Sequence, residues 1–208
     1  MARAVNREIR RRELAEALLR ITADRGLDQV SIREVAAEAG VAIGTVQHYF
    51  PTKDELLRFA FEYTAEQVRE RVDRLDHRGT VGQVLRRFLA QLLPLDQQRD
   101  VEARIYLAFA ARAAVVPYLA EVQRNTYAGV RTALKEAIAY AITIGETPTS
   151  VDPEVEAEVL IAVVDGLLLH VLTEPGGLSP QAAEAALDAY MGRIFDLGPS
   201  EPSRHAEP

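Results

Sequence analysis

The sequence predicts an all-α chain of about nine helices, and three observations predict it. Apolar residues recur at three- and four-residue steps over nearly the whole length, with no sustained period-two alternation bounded by turn dipeptides. Prolines at 51, 94, 117, 148, 153, 175 and 180 fall between the periodic segments, as their missing N–H and their clash with the preceding turn require. Capping residues stand where segments begin. Ser31 and Glu34, Thr52 and Glu55, and Thr80 and Gln83 have the spacing of capping boxes, while Asp152-Pro153 and Ser179-Pro180 pair an N-cap with proline at the first helical position.

Taken in order, a first helix is expected over Arg7–Asp24, with Leu14, Ala17, Leu18 and Ile21 on one face and Gly26 stopping it. A short helix starts at Ser31 and ends at Gly40, and another spans Ala42–Phe50, closed by Pro51. Thr52 opens a long helix through Leu56, Ala60, Tyr63, Val68, Val72 and Leu75. Further helices are expected at about 80–94, 97–115, 117–145, 152–174 and 179–197, and the tail 198–208, rich in proline, serine and charge, is expected to be disordered.

Composition narrows the chemistry. The 208 residues, 48% hydrophobic and 26% charged, describe an ordinary globular chain of one or two domains with a sizeable core. No run reaches the roughly 18 apolar residues of a membrane span, and Met1 to Arg12 is basic without an apolar stretch. A soluble, cytoplasmic protein without a signal peptide is expected. There is no cysteine, and His48, His77, His170 and His205 share no metal-ligand spacing, so disulfides, thiol nucleophiles and zinc sites are not expected. These absences point away from an enzyme, a metal or a cofactor. The net charge of −7 is unevenly spread: the first 58 residues carry ten Lys/Arg against nine Asp/Glu, the rest 14 against 22. Arg3, Arg7, Arg10, Arg11 and Arg12 form a basic cluster opposed locally by Glu8 alone, so one end of the chain can approach an anion that the remainder repels.

Two short helices joined around Gly40 and preceded by a longer one form the pattern of a helix-turn-helix, whose second helix enters the DNA major groove. At about 100° per residue, turning Val46 and Phe50 inward puts Gly44 and His48 on the opposite face, with Thr45 and Gln47 on its flanks. Val35, Ala36, Ala39, Val41 and Val46 are small and apolar enough for the two helices to pack closely.

From Ser31 through "A-x-x-A-G-V" at Ala36–Val41 to "Y-F-x-x-K-x-x-L" at Tyr49–Leu56, the sequence resembles the TetR family of bacterial transcriptional regulators. The likeness is residue-specific over about residues 7–60 and architectural beyond. It implies a helix-turn-helix DNA-binding domain over 1–51 and a helical ligand-binding and dimerisation domain over 52–197. It further implies that Ser31 and Arg33 contact phosphate, that Ile43, Gly44, Thr45, Gln47 and His48 face the groove, and that Tyr49 and Lys53 hold the DNA backbone. Gln47 suits the N6/N7 edge of adenine and Ile43 a thymine methyl. Ala42 and Ile43 stand where the family often has lysine or a small polar residue, so this groove face carries less charge and affinity leans on the N-terminal arginines.

In the second half, Val159–Leu172 is apolar nearly all round apart from Asp165 and His170, so this helix must be buried on several sides. The resemblance implies that it and the last helix form a two-fold homodimer interface, with Val163, Leu167, Leu187, Tyr190, Met191 and Ile194 as candidates. Tyr63, Phe88, Tyr106, Phe109 and Tyr127, with Asn125 and His170 as polar groups, are candidates for a pocket taking a small, mostly apolar effector, though each ring serves equally well as ordinary core. The expected function is a ligand-responsive repressor acting as a homodimer on a palindromic double-stranded DNA operator. The rival is a helical small-molecule carrier or scaffold without DNA binding.

Overall fold

The computed structural model describes residues 2–174 and 176–195; the tail 198–208 and the side chain of Arg3 lie outside the described residues. Among the described residues there are nine α-helices and no strand: α1 (Ala2–Arg25), α2 (Ile32–Glu38), α3 (Ile43–Tyr49), α4 (Lys53–Asp73), α5 (Val81–Ala90), α6 (Gln97–Ala113), α7 (Pro117–Thr143), α8 (Pro153–Thr173) and α9 (Pro180–Ile194), with one 3-10 turn at Leu27–Gln29.

The starts are set by chemistry legible in the sequence. Proline opens α7, α8 and α9, where its missing N–H costs nothing. Ser31, Thr52, Thr80, Asp96, Asp152 and Ser179 each accept a hydrogen bond from a first-turn amide. Two of the three expected capping boxes close on one side only. Glu34 donates its amide to Ser31 Oγ at 3.1 Å, but its carboxylate goes to Arg25. Glu55 donates its amide to Thr52, while its Oε2 is buried without a partner. Thr80 and Gln83 complete theirs in both directions, at 3.1 and 3.2 Å.

The turn between α2 and α3 is a Schellman closure: Gly40 donates to Ala37 O at 3.2 Å and Val41 to Ala36 O at 2.9 Å. It requires the left-handed region at Gly40, φ 65°, which a Cβ would disfavour although open space surrounds it.

Two clusters form the core. The first joins Leu14, Leu18 and Ile21 of α1 with Val35, Val46, Phe50, Leu56 and Ala60, and extends through Phe61 to Ile105 and Phe109 of α6. The second joins Leu85 and Leu89 of α5, Leu134 and Ile138 of α7, Leu160 and Val164 of α8, and Leu187, Met191 and Ile194 of α9. Each fully buried Leu or Ile contributes about 2 kcal/mol from burial. Helix α4 packs on both α1 and α6, so the segment following α3 is anchored to both parts of the molecule.

Candidate DNA-binding face and ligand cluster

Helix α3 is fastened by Val46 and Phe50, 0% and 1% exposed. With these turned in, Ile43, Gly44, Gln47 and His48 are exposed and Thr45 and Tyr49 half-buried, the arrangement the helical period predicts. A Cβ at Gly44 would meet nothing within 4 Å, so the glycine leaves room for an incoming surface rather than for the chain's own packing. His48 and Tyr49 meet edge to face at 5.3 Å.

The flanks suit an anion. Ser31 accepts from Glu34 N, which leaves its hydroxyl proton free to donate outward. Arg33 and Lys53 are exposed and make no ion pair among the described residues. The carboxylates of α2 beside Arg33 are already neutralised. Arg25 holds Glu34 at 3.1 Å and Glu38 at 3.5 Å, and Arg20 holds Glu38 at 2.9 Å. Sequence reading missed this pairing, because helix packing rather than helical spacing brings these residues together.

The basic cluster on α1 is only partly available. Arg11 folds inward, its guanidinium 4.1 Å from the centroid of the Phe59 ring and 5.5 Å from that of Phe50, and so packs the domain instead of reaching DNA. Arg10 pairs with Glu13 at 2.6 Å, and Arg12 lies 3.8 Å from Glu8.

Of the seven residues expected to line a pocket, two come together. Tyr106 and Tyr127 hydrogen-bond through their hydroxyls, and Tyr127 donates onward to Asp165, tying α6, α7 and α8 together. Burial pushes both phenols far above their ordinary range, reinforced at Tyr106 by the bond with Tyr127 and at Tyr127 by the bond to Asp165. Burial also raises the Asp165 carboxyl, against the downward pull of the two hydroxyls. Tyr127 lines an open cleft of about 340 Å³ between α6 and α7, floored by Ala110, Ala113, Ala114 and Ala120 and rimmed by Gln123, Arg124 and Arg131.

The other five candidates stand elsewhere. Tyr63 bonds Glu16 of α1 at 3.0 Å, Phe88 packs against the second core cluster, and Asn125 is exposed on α7. His170 is exposed and paired with Glu174 at 2.7 Å, one helical turn on. Phe109 is 0% exposed and stacks on Phe61 at 4.0 Å, which makes it core. Asp165 was visible in the sequence as a carboxylate on an almost wholly apolar helix. The alanine floor carries no such signal.

The interface candidates also need correction. Leu187, Met191 and Ile194 are at most 5% exposed in the single chain and belong to its own second core. Val163, Leu167 and Tyr190 are half-buried, and the Tyr190 hydroxyl, bonded to Glu156, is pushed up to about 12, mainly by burial. The outward faces of α8 and α9 instead present Val155, Ala162 and Leu169 beside Ala182, Ala185, Ala189 and Gly192. The period was read correctly; which of two apolar faces meets the chain's own core was not decidable from α8 and α9 alone.

Among the described residues no group of three His, Asp or Glu side chains is placed to hold a metal ion, and no helix is long and apolar enough to cross a membrane. A helix-turn-helix with an exposed polar recognition helix, mounted on a larger helical bundle, defines the class: a DNA-binding transcriptional regulator. Residues 14–59 match the family model described as bacterial regulatory proteins, tetR family, and residues 82–196 match that of the BetI-type transcriptional repressor C-terminal region. The HTH-type transcriptional regulator PksA of Bacillus subtilis is 31% identical over 176 residues, 84% of each chain. A transcriptional regulator from Rhodococcus sp. Rha1 is 40% identical with a TM-score of 0.78, over 91% of this chain and 99% of that one. A regulator from Saccharomonospora viridis, solved in complex with choline, shares the fold at 23% identity and a TM-score of 0.81, over 90% and 98% of the two chains. The chain belongs to the TetR family of bacterial transcriptional regulators.

Proposed function

We propose that this protein is a homodimeric repressor, acting in the cytoplasm, that leaves a palindromic operator when a small molecule occupies its C-terminal bundle. The observation that carries the reading is the recognition helix: Gln47 and His48 project from a face whose neighbours Glu34 and Glu38 are paired and whose flanking Arg33 and Lys53 make no ion pair among the described residues. Ile43, Gly44, Thr45, Gln47 and His48 read bases, while Ser31, Arg33, Tyr49 and Lys53 fix the helix on the phosphates. The dimer is assigned to the outward faces of α8 and α9 rather than to Leu187, Met191 and Ile194. A two-fold reader needs two recognition helices about 34–36 Å apart, and an isologous contact through these faces supplies the symmetry.

The effector site is assigned to the cleft at Tyr127 and the cluster behind it, Tyr106 and Asp165, with no catalytic role for any of them. Ligand that favours a dimer of different recognition-helix spacing lowers operator affinity by population shift. The choline complex of the regulator from Saccharomonospora viridis supports a small-molecule site in this fold. The test is a gel-shift titration of the DNA flanking the protein's own gene at several salt concentrations. Arg33→Ala and Lys53→Ala should each weaken binding to all duplexes and lower the log-log salt slope by about one. A reporter driven from the same DNA should rise when the gene is deleted. Tight binding unaffected by both substitutions, or a reporter that falls on deletion, contradicts the repressor reading.

A further inference from the structure

Three side chains from three parts of the reading domain meet at the end of the recognition helix. Phe50 is the C-cap of α3, and its amide donates to Val46 O at 2.8 Å, closing the helix. Its ring lies 5.3 Å from that of Phe59 on α4, and both rings are buried. Arg11 of α1 spans the pair, its guanidinium carbon 4.1 Å from the Phe59 centroid and 5.5 Å from that of Phe50. The rings, rather than a tight ion pair, hold this charge. Arg11 Nη1 stands 3.7 Å from the Glu8 carboxylate, beyond hydrogen-bond reach, and its Nε is buried without a hydrogen-bond partner. Neighbouring Arg10, by contrast, is engaged by Glu13 at 2.6 Å. A delocalised, weakly hydrated guanidinium suits such a seat better than an ammonium, because its plane reaches two rings at once.

The seat bears on DNA reading because of where Phe50 stands. Helix α3 has seven residues, too few to hold its own geometry, so its setting depends on the inward anchors Val46 and Phe50. Phe50 follows Gln47 and His48 by less than one helical turn, and a shift of its ring moves both against the backbone contacts at Tyr49 and Lys53. We propose that Arg11 is a positioning residue for base recognition, setting the angle of α3 through the Phe59 and Phe50 rings and touching no phosphate. This rests on the reading of α3 as the recognition helix and adds a specificity determinant outside the groove face. By sequence Arg11 belongs to the basic cluster at the front of the chain, and the two roles have opposite signatures. A phosphate contact strengthens binding to all duplexes alike and adds about one to the log-log salt slope. A positioning group leaves that slope alone and strengthens the operator selectively, since base contacts need the helix in register and loose phosphate binding does not.

The test is fluorescence anisotropy on the full chain across a salt series, with the palindrome selected by the wild type and a scrambled duplex of equal length. Concentrations are those of active protein from stoichiometric titration, so lost stability alone moves nothing. Arg11→Met should lower the ratio of operator to scrambled affinity roughly five- to tenfold, with the salt slope unchanged. Arg11→Lys keeps the charge without the plane and should stay at least about threefold below wild type. In a Phe59→Leu background the same Arg11→Met change should cost no more than about twofold, because the seat is already gone. Without DNA, hydrogen exchange of the Phe50 amide should quicken roughly five- to tenfold in Arg11→Met, while the amides of Leu18 and Ile21 in α1 keep their rates. A salt slope lowered by about one, with both duplexes weakened equally, makes Arg11 a phosphate contact and overturns the proposal. An unchanged ratio in Arg11→Met, or wild-type behaviour of Arg11→Lys, overturns it as well. Should Arg11→Met fail to fold, Arg11→Lys decides on the same ratio and slope. A wild type that prefers no duplex refutes the recognition-helix reading instead, and the exchange rate of the Phe50 amide then decides whether Arg11 sets α3.

Discussion

Arg112, in the last turn of α6, holds Asp54, in the first turn of α4, through hydrogen bonds of 2.9 Å from Nε and 2.6 Å from Nη2. The hydrogen bond with Arg112 keeps the Asp54 carboxyl below its usual range. Asp54 follows the end of α3 by five residues, and Ala110, Ala113 and Ala114 of the cleft floor flank Arg112, so this pair links the cleft to the helix that carries the recognition element. Arg112 is exposed and Asp54 only half-buried, which makes the pair a positional link more than a source of stability.

Arg112→Ala should therefore leave the thermal midpoint nearly unchanged and lower operator affinity roughly fivefold, read by fluorescence anisotropy. The sign of the acid dependence follows from the lowered Asp54 value. Whatever the pair contributes is present above the unfolded carboxylate range and lost as pH falls through the folded value, so any wild-type advantage disappears in strong acid. Unchanged operator affinity in the variant contradicts the link.

Arg71 of α4 grips Glu102 of α6 bidentately at 3.0 and 2.7 Å and also reaches Gln91. Glu102 is buried, so Arg71→Ala leaves an unpaired carboxylate and should cost about 3 kcal/mol in urea unfolding. Removing both with Arg71→Met and Glu102→Leu should recover most of that loss. Equal losses in the single and double variants would mean that packing, not charge, is at stake.

Asp165 has its carboxyl raised by burial, so folding shifts its equilibrium toward the protonated form relative to the unfolded chain. The associated stability is fully present below the unfolded carboxylate value and declines as pH rises through the folded one. Asp165→Asn should therefore raise the thermal midpoint near pH 8 and give little or no gain near pH 3, in a differential scanning series. A constant difference across the series contradicts the assignment.

On α9, opposite faces should respond differently. Leu187→Ala opens a cavity in the second core and should cost about 3 kcal/mol. Ala189→Glu, on the exposed face, should leave each chain folded and convert the dimer to monomer by analytical ultracentrifugation. A dimer that survives Ala189→Glu places the contact elsewhere.

The helices and their starts were legible because caps, prolines and period are local properties: Ser31, Thr80, Pro117 and Pro153 act within one turn. The outward face of α3 was legible for the same reason. The ligand candidates were not, since Tyr63 and His170 satisfy themselves with Glu16 and Glu174, and Phe109 is consumed by Phe61. The period marks a face as apolar without saying what covers it, which is why Leu187, Met191 and Ile194 turned out to be core. Arg112 with Asp54 and Arg71 with Glu102, 58 and 31 residues apart, have no local signature at all.

The most direct test of the central claim is selection of bound sequences from a random duplex pool at fixed salt, comparing wild type with the Gln47→Ala, His48→Ala variant. Both substituted side chains are exposed, so the variant should fold normally. Enrichment of a palindrome by the wild type, lost or blurred in the variant, is the predicted result. Equal enrichment by both proteins, or none by either at low salt, contradicts a recognition helix that reads DNA through Gln47 and His48.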